Sequence, residues 1–220
     1  MKRGWLSYNG QWYYLNQDGK MQTGWQGIEG TWYYFLSSGE AKTGWLNENG
    51  KWYYFNSDCK MQIGWQGIAG TWYYFLSSGE AKTGWLNENG KWYYFNSDCK
   101  MQTGWQKLAG TWYYFISSGE AKTGWLNDNG KWYYFNSDCK MQTGWQGIEE
   151  TWYYFLSSGE AKTGWLNENG KWYYFNSDCK MQTGWIKVDG KKYYLYSDGS
   201  MAVNTTINGI YLGSDGAATR

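Results

Sequence analysis

Two tryptophans recur through this sequence at fixed spacing. One follows a glycine, at Trp5, Trp25, Trp45 and on to Trp185; the other opens a Trp-Tyr-Tyr triplet, at Trp12, Trp32, Trp52 and on to Trp172. The period is 20 residues without a slip, and the two sets account for all 19 tryptophans. An indole ring offers an electron-rich face to a cation. Trp45 and Trp52 fall on opposite strands of one predicted hairpin, near enough to form two walls. Tyr74, on the corresponding face of the next hairpin, is placed to form a third, with Met61 in the connection between them. Three ring faces around a gap hold a quaternary ammonium head, which is charged but has no N–H to donate. Each face contributes about 0.5–2 kcal/mol, so such a cage reaches roughly millimolar affinity. Repetition adds avidity on a multivalent surface. Periodic aromatics also build cores, so on composition alone packing competes with binding as the role of these rings. Tyr53 and Phe55 are read as core.

Other chemistries find less support. The chain has no histidine, which removes imidazole bases, His-based triads and His metal ligands. Glu40, Glu48, Asp58 and their copies are periodic and sit at turns, whereas a catalytic carboxylate pair should be singular. No glycine-rich phosphate loop precedes a helix, and no helix is predicted. No Cys-x-x-Cys pair suggests zinc. Cys59, Cys99, Cys139 and Cys179 occupy equivalent turns 40 residues apart. An intervening hairpin separates each from the next, and a disulfide needs Cα atoms within about 7 Å. They are expected as exposed free thiols in place of a turn glycine, able to cross-link two copies on oxidation.

The elements that must position the rings are short. Asn9-Gly10, Asn49-Gly50, Asn89-Gly90, Asn129-Gly130 and Asn169-Gly170 are two-residue hairpin turns, since both central residues need positive φ. Alternate units use Glu29-Gly30 or Ala69-Gly70. Glu149-Glu150 supplies no glycine, so that turn is expected to be strained or differently shaped. Lys51-Trp52-Tyr53-Tyr54-Phe55 is rich in strand formers. Trp52 and Tyr54 share one face, Tyr53 and Phe55 the other. Both faces are aromatic, and an isolated hairpin is marginal in water. Stacking hairpins buries both faces and predicts an all-β solenoid.

A second period of 40 residues lies over the first. One flavour runs from Thr83 to Gln102, the other from Thr23 to Lys42. The copies are nearly identical, with departures such as Ile63, Lys107, Ile116 and Glu150. That implies recent duplication or deliberate design. Residues 1–203 read as ten repeats and 204–220 as a C-terminal cap with a last aliphatic hairpin, Ile207 to Leu212.

Aromatics make up 23% of the chain, and mean hydropathy is −0.78. So many large rings argue against disorder despite that polarity. Twenty basic and 19 acidic residues are evenly spread, which points to neither nucleic acid nor an anionic membrane surface. No apolar run approaches a membrane span. The N-terminus enters the first repeat at once, without the apolar stretch of a signal peptide.

The unit Gly-Trp-x6-Trp-Tyr-Tyr-Phe-x-x-x-Gly-x-Met-x-Thr-Gly-Trp closely resembles the choline-binding repeat of pneumococcal surface proteins, autolysins and phage lysins. The likeness covers residues 4–203. It implies a left-handed β-superhelix of hairpins. No unrepeated segment is long enough to house a catalytic domain, so no catalytic residues, metal or cofactor are expected. The likeness also implies choline held between successive repeats, and non-covalent attachment to phosphocholine on teichoic and lipoteichoic acids at the bacterial cell-wall surface. Carried over residue by residue, the cages take Trp5, Trp12 and Tyr34 with Met21; Trp25, Trp32 and Tyr54; Trp45, Trp52 and Tyr74 with Met61; Trp65, Trp72 and Tyr94. They continue with Trp85, Trp92 and Tyr114 with Met101; Trp105, Trp112 and Tyr134; Trp125, Trp132 and Tyr154 with Met141. The last are Trp145, Trp152 and Tyr174, then Trp165, Trp172 and Tyr194 with Met181. Joins carrying Ala41, Ala81, Ala121 or Ala161 in place of methionine lose a wall and are expected to bind more weakly. Trp185 faces Lys192 and is not expected to form a site.

Related repeats of glucan-binding enzymes and clostridial toxins share Gly-Trp and Tyr-Tyr-Phe but often lack the first tryptophan of the triplet. Its nine intact copies favour choline over a glycan. A glycan-binding module and a purely structural, engineered scaffold stand as the alternatives. A homodimer through the C-terminal end or through cysteine is a further expectation.

Overall fold

The computed structural model describes residues 1–219. Twenty-two strands pair into eleven two-stranded antiparallel sheets. The chain is all-β, a succession of hairpins of the solenoid type. In the repeat from Gly44, strand Gly44–Glu48 pairs with Lys51–Phe55, with Trp45 opposite Tyr54 and Asn47 opposite Trp52. Asn49 and Gly50 turn the chain at φ 53° and 78°, the pair of positive angles that matches strand twist. Glu149 and Glu150 keep the same turn, at φ 47° and 63°, and the register of their hairpin is intact. The shape is preserved there and the strain is carried by a residue with a Cβ.

After the second strand the chain doubles back. Asn56 drives this turn: its Oδ1 accepts the backbone N–H groups of Asp58 at 3.0 Å and Lys60 at 2.9 Å, an Asx turn. The return brings Met61 into a bridge with Phe55. The chain ends in the hairpin Thr205–Ile207 and Ile210–Leu212, with Leu212 buried. Residue 220 of the expected cap lies outside the described residues.

The chain divides into two compact units, Met1–Gly104 with Phe115–Ala121, and Trp105–Tyr114 with Lys122–Arg220. In the first unit, Phe35, Phe55, Phe75, Phe95 and Phe115 are almost wholly buried; in the second, Phe135, Phe155 and Phe175 are. Each contributes roughly 2–3 kcal/mol through burial. Within each unit a hairpin lays its Trp face on the Tyr-Phe face of the next. Trp45 therefore meets Tyr73 at 4.8 Å and Phe75 at 5.7 Å between ring centroids.

The cysteines are buried, contrary to the exposed thiols expected, with Cys59 only 4% exposed. Each sits at φ 61° or 62°, where the sister repeats have glycine. The Cys59 thiol points at the Ala41 carbonyl 3.9 Å away, and Cys99 at that of Ala81. Burial, aided by the neighbouring aspartate, pushes these thiols up from the ordinary value. A buried, protonated thiol is a poor cross-linking group, so the expectation of a dimer through cysteine is withdrawn.

The alternation of cysteine and glycine has a packing cause. A Cβ on Gly39 would collide with the Met21 side chain, and a Cβ on Gly79, Gly119, Gly159 or Gly199 would meet Met61, Met101, Met141 or Met181 in the same way. Where alanine replaces methionine, cysteine replaces glycine: Ala41 clusters with Cys59, Ala81 with Cys99, and Ala161 with Cys179. The sulfur changes owner and the volume stays filled.

Candidate functional site

The tryptophan pair of one hairpin forms two nearly perpendicular walls. Trp45 and Trp52 stand 6.1 Å apart at 87°, and Trp25 and Trp32 6.4 Å apart at 78°. The first ring is held by Tyr54 across the strand and by the next hairpin. The second is left bare: Trp32 is 51% exposed and Trp52 42%, and the equivalent rings from Trp12 to Trp172 are exposed in the same way. Large hydrophobic rings left open at a fixed repeat are not core and make these positions the candidate ligand surface.

The third wall comes from the first tyrosine of the triplet, not the second. The cavity against Trp45 and Trp52 is lined by Tyr73, and that against Trp25 and Trp32 by Tyr53. Tyr153 completes the pair Trp125 and Trp132, and Tyr173 the pair Trp145 and Trp152. Tyr93, Tyr133 and Tyr193 stand 4.8–4.9 Å from Trp65, Trp105 and Trp165. The expected residues Tyr34, Tyr54, Tyr74, Tyr94, Tyr114, Tyr134, Tyr154 and Tyr174 instead pack within their own hairpins against Trp25 to Trp165, at 5.0–5.3 Å, and Tyr194 against Trp185 at 5.3 Å. The hydroxyls of Tyr34, Tyr74 and Tyr154 donate to Glu48, Glu88 and Glu168. Stacking is the reason. A hairpin displaced along a stack presents the opposite face to its predecessor, so the completing ring has the other strand parity. Tyr53, read as core, also lines the cavity, while its equivalents Tyr33, Tyr73 and Tyr153 belong to buried core clusters. Burial, first of all, pushes the Tyr53 and Tyr153 hydroxyls up, which keeps both rings neutral.

The methionine is likewise displaced by one join. Met61 donates its N–H to the Trp32 carbonyl at 2.9 Å and lines the Trp25, Trp32, Tyr53 cavity, not the Trp45 and Trp52 join where it was expected. Met101, Met141, Met181 and Met201 bond Trp72, Trp112, Trp152 and Trp172 in the same way. Ala41, Ala81, Ala121 and Ala161 bond Trp12, Trp52, Trp92 and Trp132. Met21 packs on Gly39, with no tryptophan pair one hairpin behind it. Met-walled and Ala-walled joins exist, but nearly in the reverse order of the expectation.

Sequence reasoning missed the rim. Asp98 and Asp178 line the Ala-walled cavities and Ser78 a Met-walled one. Ser197 and Asp198 line the cavity of Met181. These residues come from the turn of the hairpin after the tyrosine. The sequence signal was the alternation of Ser-Asp-Cys and Ser-Ser-Gly turns from one repeat to the next. Elsewhere, Lys51 and Glu80 form an ion pair of 2.7 Å beside Trp52 and Ala81, repeated by Lys131 and Glu160. At Trp112 the Lys107 ammonium lies 5.8 Å from the ring centroid, using part of that ring's attraction for a cation. Trp185 has Lys192 two residues before Tyr194 where other repeats have tryptophan.

The model of the choline-binding repeat matches residues 2–43, 42–83, 82–123, 122–163 and 162–205. The chain belongs to the choline-binding repeat family. No curated protein sequence matches it. Among solved structures it is similar to CbpJ from Streptococcus pneumoniae TIGR4, with 31% identity, TM-score 0.73, and 99% of this chain aligned to 100% of that one. It is similar to choline binding protein F from Streptococcus pneumoniae, at 31% identity and TM-score 0.68, over 99% of this chain and 98% of that. The autolysin LytC from Streptococcus pneumoniae matches at 26% identity and TM-score 0.67, over 92% of this chain and 48% of the enzyme. Choline-binding repeats are non-catalytic modules. Among the described residues no group of three or more metal-ligating side chains is present.

Proposed function

We propose that this chain binds choline at the joins between its repeats, and that through them it attaches non-covalently to phosphocholine on teichoic and lipoteichoic acids at a bacterial cell surface. The observation that carries this is the recurring cavity with two perpendicular indoles and a phenol for walls and one indole left exposed. A trimethylammonium group gains from each ring face and from methyl contact, and loses little by leaving water because its charge is diffuse. A flat sugar would prefer a single open stacking platform to a corner. The proposed site residues are Trp25, Trp32, Tyr53 and Met61 and their equivalents, with Tyr73 or Tyr153 and no methionine at the Ala-walled joins. Several weak sites on one chain hold a polymer that displays many choline groups.

Chromatography on immobilised choline tests the proposal. The protein should be retained in high salt and released by free choline, since ring faces rather than net charge hold it. Passage through the column unretained would contradict it, and release by a glucan instead of choline would favour the glycan reading.

A further inference from the structure

The two kinds of join differ in size and in charge. The Ala-walled cavity of Trp45, Trp52 and Tyr73 has a volume of about 340 Å³, and that of Trp125, Trp132 and Tyr153 about 310 Å³. The Met-walled cavities are smaller, about 270 Å³ at Trp25, Trp32 and Tyr53 and about 180 Å³ at Trp145, Trp152 and Tyr173. The missing methionine accounts for the direction, because the cysteine that replaces its sulfur stays behind the wall, against the Ala41-type carbonyl.

The rims differ as well. An exposed aspartate lines both Ala-walled cavities, Asp98 in one and Asp178 in the other. Asp98 has Lys100 at 4.0 Å, both largely in solvent. Asp178 makes no ion pair among the described residues. In the join walled by Met61, Ser78 stands at the equivalent place. Asp198 lines the cavity of Met181, but its carboxylate is engaged. It accepts the Ser200 hydroxyl at 2.6 Å and the Ser200 N–H at 2.9 Å, and Lys171 lies 3.5 Å away. These bonds to Ser200, with Lys171, hold its carboxyl below the usual range, and Lys171 offsets its charge.

Resting on the choline-binding reading, we infer that the Ala-walled join of Trp125, Trp132 and Tyr153, with Asp178 at its rim, selects cationic onium ions over phosphate-bearing zwitterions with the same head group, whereas the Met-walled join of Trp25, Trp32 and Tyr53, with Ser78 there, accepts both. Choline and phosphocholine present the same trimethylammonium to the rings. They differ in what hangs from it two carbons away. A hydroxyl at the rim is indifferent to Asp178, while a phosphate there is repelled by it. A unit charge a few Å from another through water is worth about 1 kcal/mol, or about fivefold in affinity. Ser78 offers a phosphate a hydroxyl donor instead. The molecule would then carry a join for polymer-linked phosphocholine and another answering to free choline or other simple onium ions.

The test is a titration of the full chain labelled with 5-fluorotryptophan, followed by fluorine NMR. The Trp132 and Trp32 resonances are assigned by replacing each with phenylalanine. At Trp132 choline should bind about fivefold more tightly than phosphocholine, and at Trp32 the two should agree within about twofold. Asp178→Asn should bring the two ligands together at Trp132 and leave Trp32 unchanged. Asp178→Ser, which installs the residue of the other class, should do the same. Equal discrimination at Trp132 and Trp32, or discrimination that survives both substitutions, would overturn the inference while leaving choline binding intact. Failure of choline itself to move either resonance would overturn the underlying reading.

Discussion

Tyr73 and Tyr74 are adjacent in the chain and belong to different assemblies. Tyr73 closes a cavity against Trp45 and Trp52, while Tyr74 braces Trp65 and bonds Glu88. Tyr73→Ala should therefore weaken choline binding at one join by about three- to thirtyfold, the loss of one ring face, and, since Tyr73 is buried in the core, cost stability as well. Tyr74→Ala should act chiefly on stability, at about 3–5 kcal/mol for a large truncation within the packing. Site-resolved NMR titration and chemical denaturation separate the two effects. The identity of the two tryptophans was legible in the sequence, because nothing but a repeated pair explains their spacing. The tyrosine was not, because strand parity gives the face of a residue within its own hairpin and says nothing about which face the next hairpin turns toward it.

At the scale of the hairpin, the turns carry the information. Asn-Gly makes the reversal in alternate repeats and Glu-Gly, Ala-Gly or Asp-Gly in most of the others, and the two-residue loops are found where the sequence places them. Glu150 departs from that rule and adopts positive φ without being glycine. Glu150→Gly should stabilise its hairpin by about 1 kcal/mol, seen as a raised denaturation midpoint and slower amide exchange around Ile148 and Thr151. The cysteine turns violate the same rule for a different reason, since the sulfur fills the volume that methionine fills in the sister repeat. Ala41→Met alone should cost about 1–3 kcal/mol through overpacking on Cys59. Adding Cys59→Gly should recover most of that, because it recreates the pairing of Met61 with Gly79; denaturation midpoints of the two single variants and the double variant measure it. Exposure of the cysteines was misjudged because a turn is ordinarily on the surface, and only the stacking of a further hairpin covers this one.

At the scale of the molecule, the proposed function rests on many copies of one weak site. The chain's hydrophobic core includes the buried phenylalanines of each unit, and the proposed binding surface is the set of indole faces that this packing leaves uncovered. The hairpin architecture was legible from the repeat period and the two-faced aromatic strands. The order of Met-walled and Ala-walled joins was not, since the connection after each hairpin pairs backward onto the tryptophan of the hairpin before it. The most direct measurement is a crystal structure of the protein with choline at saturation. Trimethylammonium density should lie between Trp25, Trp32 and Tyr53, capped by Met61, and at the equivalent joins. Cavities holding only solvent under those conditions, or choline bound away from the tryptophan pairs, would contradict the assignment of the joins as the binding sites.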